Sequence, residues 1–224
     1  MTGYRLQLPQ GWIRTRLGGD LDRAVEHVVE RTLPRGRFDD SDGAVARLRL
    51  REDLRRSFRA AVDAGAVDLY TFEGDVDGVR LPMSFSVSVA HFGASVGAMP
   101  LTVFAQGLRG SGEVQIVDLP AGEMIRARKE FHETARQVLG QNEPPATAVG
   151  SLSASSRQSL DTLNQFVEDN ADVPFVNTTV DYLAPIPGEA GTFVLVSLTA
   201  PGSSDVEARI GHFDVLMAGF GWTR

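Results

Sequence analysis

The stretch Met83-Ser84-Phe85-Ser86-Val87-Ser88-Val89-Ala90-His91 alternates large apolar side chains with small ones. Successive side chains of a β-strand point to opposite faces of its sheet. Met83, Phe85, Val87 and Val89 therefore share one face, and Ser84, Ser86, Ser88 and Ala90 the other. One apolar and one polar face is the pattern of an antiparallel sheet covered on one side, whereas the strands of a parallel, doubly wound sheet read as continuous apolar runs. The fold class this predicts is α+β, an antiparallel sheet with helices packed on its faces.

Working outward, Val67, Leu69 and Thr71 alternate with Asp68, Tyr70 and Phe72, and Asp75-Val76-Asp77-Gly78 reads as the turn of a hairpin whose return strand is the stretch above. Beyond a glycine-rich bend at Gly93 to Gly97, a short helix is expected within Pro100 to Leu108. Two strands, Glu113 to Val117 and Met124 to Phe131, then flank Leu119-Pro120-Ala121-Gly122. The C-terminal part predicts an extended run from Asn177 to Leu183, a turn at Pro185-Ile186-Pro187-Gly188 and a strand from Phe193 to Thr199. A closing helix follows, with capping-box spacing at Ser204 and Glu207 and an apolar stripe of Ile210, Phe213, Met217 and Phe220.

Toward the N-terminus, Tyr4 to Leu8 and Trp12 to Leu17 look extended on either side of Pro9-Gln10-Gly11, which predicts an opening hairpin. A helix follows from Asp20, with Leu21, Val25, Val28 and Val29 at helical spacing, and Pro34 stops it. A second runs from Ser41 or Asp42 to about Ala64, burying Leu50, Leu54, Phe58 and Ala61. Its arginines form a solvated face in which Glu52 pairs with Arg55 or Arg56. The segment 137–172, with Glu143-Pro144-Pro145, scattered serines and one short amphipathic helix around Leu160, Leu163 and Val167, reads as an insertion or flexible segment within a single domain spanning 1–224.

Composition bounds the function. The chain has 224 residues, no cysteine and a formal net charge of -7, so disulfides and thiolate metal sites are excluded and a polyphosphate partner is disfavoured. No apolar stretch reaches the roughly 18 to 20 residues of a membrane span, and the first residues lack the pattern of a signal peptide, which predicts a cytoplasmic protein without membrane insertion. Of 22 basic residues only Lys129 is a lysine, a codon bias expected of a high-GC genome.

Catalytic motifs fail at the residues that matter. His132-Glu133-Thr134-Ala135-Arg136 begins like a zinc-protease helix but carries Arg136 in place of the second histidine. Gly150-Ser151-Leu152-Ser153-Ala154 lacks the second glycine of a nucleophile elbow, and no phosphate-binding glycine loop or dinucleotide fingerprint occurs. Of the four histidines, His27, His91, His132 and His212, the first candidate for a role is His91, at the end of the serine-faced strand. No catalytic residue, metal site or cofactor is assigned. The face carrying Ser84, Ser86 and Ser88, with His91 at its end, is the candidate partner-binding surface.

Three features together, an opening Leu8-Pro9-x-Gly11-Trp12 after an alternating strand, a sheet built in hairpins, and a closing helix with Phe213-Asp214 that ends in Gly219-Phe220-Gly221-Trp222, resemble the Mog1/PsbP-like superfamily. The resemblance is confined to the two ends of the chain. It implies an α/β/α sandwich and a non-enzymatic binding module, since similar domains serve as a photosystem assembly subunit, a regulator of a small GTPase and chaperones of secreted toxins. It brings no catalytic residue with it, and the two helices after the first strands together with the segment 137–172 depart from it. The function expected is a protein-binding adaptor or chaperone of a bacterial secretion or assembly system, with homo-oligomerisation open. The alternatives are a structural subunit of a larger assembly, or a small-ligand-binding protein or enzyme with a site near His91 and His132.

Overall fold

A computed structural model of the chain describes residues 3–36, 41–76, 79–80, 83–109, 112–134, 172, 174–201 and 205–223. The chain divides into two compact units, one of 1–18, 64–131 and 176–224, the other of 19–63 and 132–175. It combines helices with a large antiparallel sheet, the α+β class expected from the alternation in Met83 to His91.

The first unit is built on a seven-stranded sheet ordered β2-β3-β6-β10-β9-β8-β7. Its strands are β2 (Trp12–Arg16), β3 (Ala66–Phe72), β6 (Met83–His91), β7 (Glu113–Leu119), β8 (Gly122–Thr134), β9 (Pro174–Pro185) and β10 (Thr192–Pro201). Every pairing whose register is described is antiparallel. The turns expected from sequence close β7 onto β8 and β9 onto β10. The β3-to-β6 connection carries a small ribbon of β4 (Asp75–Val76) and β5 (Val79–Arg80).

One face of the sheet holds the main core. Met83, Phe85 and Val87 of β6, Val194, Val196 and Leu198 of β10, and Val180 and Tyr182 of β9 are buried there with Ile210, Phe213, Leu216 and Met217 of the closing helix, α5 (Val206–Met217). That helix stops at Met217. Phe220 opens a strand, β11 (Phe220–Thr223), and still reaches the core. Asp205 stands at the helix N-cap and Arg209 takes its carboxylate, while Ser204 of the expected capping box lies outside the described residues.

The opening hairpin is not formed. β1 (Gly3–Leu6) pairs with β11, placing Tyr4 opposite Trp222 and Leu6 opposite Phe220, while β2 pairs with β3, placing Trp12 opposite Phe72. Gly11, at φ 98°, re-aims the chain instead of doubling it back, and its carbonyl accepts the N–H of Glu73. A β-carbon there would approach the Phe72 ring to 2.9 Å.

On the opposite face, α4 (Leu101–Leu108) covers one end of the sheet, packing Phe104, Ala105 and Leu108 with Val114, Ile116, Ile125, Leu183 and Phe193. A single-turn helix, α3 (Ala94–Gly97), precedes it where a bend was expected.

In the second unit, α1 (Leu21–Thr32) is capped by the Asp20 side chain, which accepts the N–H of Arg23, and α2 spans Ser41–Asp63. Phe58 is buried, and Leu50, Leu54 and Ala61 are half-buried. Pairing within α2 was expected for Arg55, but its partner is Asp22 of α1, at 2.8 Å, and Arg51 reaches Glu26 of the same helix. Arg56 pairs with Asp53 at 3.6 Å. No described helix is long and apolar enough to cross a bilayer.

Phe213 is fully buried and contacts the rings of Phe85 and Tyr182. Phe213→Ala is expected to lower stability by about 3 to 5 kcal/mol, read as a shift in the urea midpoint. A loss below about 1 kcal/mol would mean that α5 does not anchor this core.

Candidate functional site

The serines of β6 continue into a polar row across the sheet. Register places Ser86 opposite Ser197 of β10, and Ser197 in turn opposite Asp181 of β9. The Ser197 hydroxyl donates to Asp181 Oδ1 at 2.5 Å, and two pairs along, at the next position on the same face, the Oγ1 atoms of Thr179 and Thr199 lie 3.3 Å apart. Ser84 is exposed, and Ser86, Ser88, Ser197 and Asp181 are half-buried. Burial pushes the Asp181 carboxyl above its ordinary value, against the opposing pull of the Ser197 hydrogen bond and of Lys129. The row therefore offers small side chains and one reluctantly ionised acid, without an imidazole or thiol among its members.

His91 does not belong to this face. Strand alternation puts it with Met83, Phe85, Val87 and Val89, opposite the serines, and its Nδ1 lies 3.2 Å from Thr192 Oγ1. The four residues expected to form one surface are therefore split, three on one face and His91 at the far end of the other. A period of two separates even from odd positions whatever the neighbouring elements do.

Thr192 lines a groove of about 420 Å³ between the β9–β10 turn and the α3–α4 segment, together with Val96, Met99, Leu101, Ile186 and Phe193. Gly97 sets its width, because a β-carbon there would lie 2.2 Å from the backbone nitrogen of Gly191. Beside these residues the ring of Phe92, 40% exposed, meets Phe104 and Phe193 edge-on at 5.0 and 5.5 Å.

His132 and Glu130 are exposed at the end of β8, where Glu130 accepts from Arg128. In the sheet, β10 and β9 intervene between the strand of His91 and that of His132. No group of three or more metal-binding side chains gathers among the described residues. His27 is exposed on α1, and His212 on α5 stacks on Trp12 with ring centroids 6.4 Å apart. The segment 137–172 lies outside the described residues apart from the exposed Asp172.

Two partly buried polar clusters escape sequence reasoning. Asp68 receives Arg14 through two bonds, of 2.8 and 2.6 Å, and the Tyr4 hydroxyl, which lies 3.3 Å from that of Tyr70. Asp214 on α5 receives Arg126 through bonds of 3.1 and 3.0 Å and the Tyr182 hydroxyl at 2.7 Å. Burial raises both Tyr4 and Tyr182, which stay neutral donors to their carboxylates. The available signal was a charge within an apolar run, Arg126 in Met124-Ile125-Arg126-Ala127, where all four are buried. Comparisons with protein-family models, with curated proteins and with solved structures gave no match.

Because the folded state raises the Asp181 pKa above its ordinary 3.8, the group favours folding only while protonated, and that contribution is lost as pH rises through the raised value. Asp181→Asn is expected to be more stable than the parent at pH 7, with the gap closing as pH falls toward 4 or below. Equal stability of the two proteins across that range in thermal melts would show the carboxylate to be fully hydrated.

Proposed function

We propose that this chain is a non-catalytic protein-binding module, an adaptor or chaperone of a bacterial secretion or assembly system working in the cytoplasm, with a fold of the Mog1/PsbP-like kind. The observation that carries the reading is the polar row that runs from Ser84, Ser86 and Ser88 through Ser197 to Asp181 and Thr179. Small side chains in register make a flat patch that a partner can approach closely, and such a patch offers complementarity in place of chemistry. The helix on the other face and the β1–β11 pair at the chain ends support the kinship with that superfamily.

A small-ligand reading has one observation in its favour, the groove of about 420 Å³ lined by Thr192, behind which the His91 ring lies 3.2 Å from the Thr192 hydroxyl. A thermal-shift screen of small metabolites against the parent and His91→Ala tests it, and a shift seen only with the parent would favour it.

The leading reading is tested by affinity capture from the native lysate with the parent, with Ser86→Arg and with Thr102→Arg on the exposed side of α4. A stoichiometric partner is expected with the parent and with Thr102→Arg, and is expected to be lost with Ser86→Arg while the melting temperature stays within a few degrees. Undiminished capture by a folded Ser86→Arg protein would remove the serine face from the interface.

A further inference from the structure

The seven-stranded sheet ends at β7, which bonds to β8 on one side and has no strand on the other among the described residues. Natural sheets blunt such edges with proline, lysine, bulges or very short strands, because a row of unpaired N–H and C=O groups templates another strand. β7, Glu113-Val114-Gln115-Ile116-Val117-Asp118-Leu119, has neither proline nor lysine, and its register runs unbroken from Glu113 opposite Arg128 to Leu119 opposite Gly122. The strand at the other edge, β2, is shorter and carries the exposed Arg14 and Arg16.

The ladder fixes which groups are free. Leu119 and Gly122 close the two-residue turn Pro120-Ala121 as a hydrogen-bonded pair, and antiparallel pairs alternate between bonded and non-bonded. Leu119, Val117, Gln115 and Glu113 therefore bond toward β8, while Val114, Ile116 and Asp118 direct their N–H and C=O groups outward.

The same three side chains define what fits. Val114 and Ile116 lie half-buried beneath Phe104 and Leu108 of α4, so apolar residues opposite them would widen that cluster. Asp118 stands directly opposite Glu123, and both are exposed. Like charges directly opposite are destabilising, and a non-bonded pair brings them closest. Among the described residues neither carboxylate has an ion-pair partner. A strand laid outside β7 places one residue beside Asp118, and a lysine or arginine there turns repulsion into attraction. A second copy of β7 supplies neither, since the strand contains no basic residue and the chain carries a net charge of -7.

We propose that β7 is the docking edge for an extended segment of a partner protein, bound as an added strand with one basic residue opposite Asp118 and apolar residues opposite Ile116 and Val114. This rests on the protein-binding reading and names its surface and the chemistry of its partner.

The test uses the full chain and a labelled, end-blocked peptide, Lys-Thr-Ile-Thr-Val-Thr-Thr, beside the same peptide with glutamate replacing lysine. Fluorescence anisotropy is expected to show the lysine peptide binding about fivefold more tightly, with amide NMR shifts centred on Val114, Ile116 and Asp118. Asp118→Lys, at an exposed position, is expected to reverse the preference. Ile116→Pro, which removes an outward N–H but no bond to β8, is expected to abolish binding of both peptides while circular dichroism stays unchanged. No peptide-induced shift on β7, or a preference unaltered by Asp118→Lys, overturns the proposal. Capture of one lysate partner equally by the parent and by both variants overturns it too, yet leaves the protein-binding reading standing.

Discussion

A polar side chain with 3% of its residue surface exposed needs hydrogen-bond partners, and meeting that demand for Asp68 organises one end of the first unit. The donors come from two places in the chain. Arg14 on β2 supplies a two-bonded guanidinium and Tyr4 on β1 a hydroxyl, against which the Tyr70 hydroxyl lies at 3.3 Å. Because β1 pairs with β11, satisfying Asp68 also fixes the last strand, and Tyr4 stacks on Phe220 with the two rings 2° from parallel. The hydrogen bond from Arg14 to Asp68 raises the arginine, and burial together with the same carboxylate raises Tyr4. Cation and neutral phenol are thus both locked in their donor forms, which makes the cluster a fixed clasp.

The Arg126, Asp214 and Tyr182 cluster repeats the same chemistry, joining β8 and β9 to α5. Both clusters lie with the main core. A partly buried ion pair contributes little net stability, because desolvation and solvent screening offset most of the attraction, so the two sets act on geometry more than on energy. They specify where β1 and α5 sit over an apolar surface that would otherwise accept several placements. With that face committed, the opposite face beyond α4 is left to Ser84, Ser86, Ser197 and Asp181.

What was legible in the sequence follows the range of the forces. The alternation in β6 and the hairpins β3 to β6, β7 to β8 and β9 to β10 were all readable, because a turn and a period of two are local properties. The pairing of β1 with β11 was not, because it joins Gly3 to Thr223 and nothing near Tyr4 announces it. The Arg55 to Asp22 pair spans two helices, which neighbour spacing within α2 cannot reveal. Likewise Ser197 and Asp181 looked ordinary until the β10 register set them beside Ser86. His91 is the opposite case: its odd position already excluded it from the serine face, and only its closeness in sequence to Ser88 suggested otherwise.

The polar row and the open edge differ in the demand they place on a partner. Within the row, Ser197 already donates to Asp181, and Thr179 and Thr199 already meet each other, so a partner laid on that face gains shape complementarity and few new bonds. At β7 the outward N–H and C=O groups of Val114, Ile116 and Asp118 meet no strand among the described residues. A water-exposed backbone group exchanges one hydrogen bond for another on binding, so the net gain per bond is modest, about 0.5 to 1.5 kcal/mol. Direction is what such bonds enforce, for they require an extended backbone at strand spacing and reject a helix or a rounded surface. Under the protein-binding reading, the serine face then contributes area and tolerance, while selection among partners belongs to the edge, where strand geometry and the Asp118 charge must be matched together.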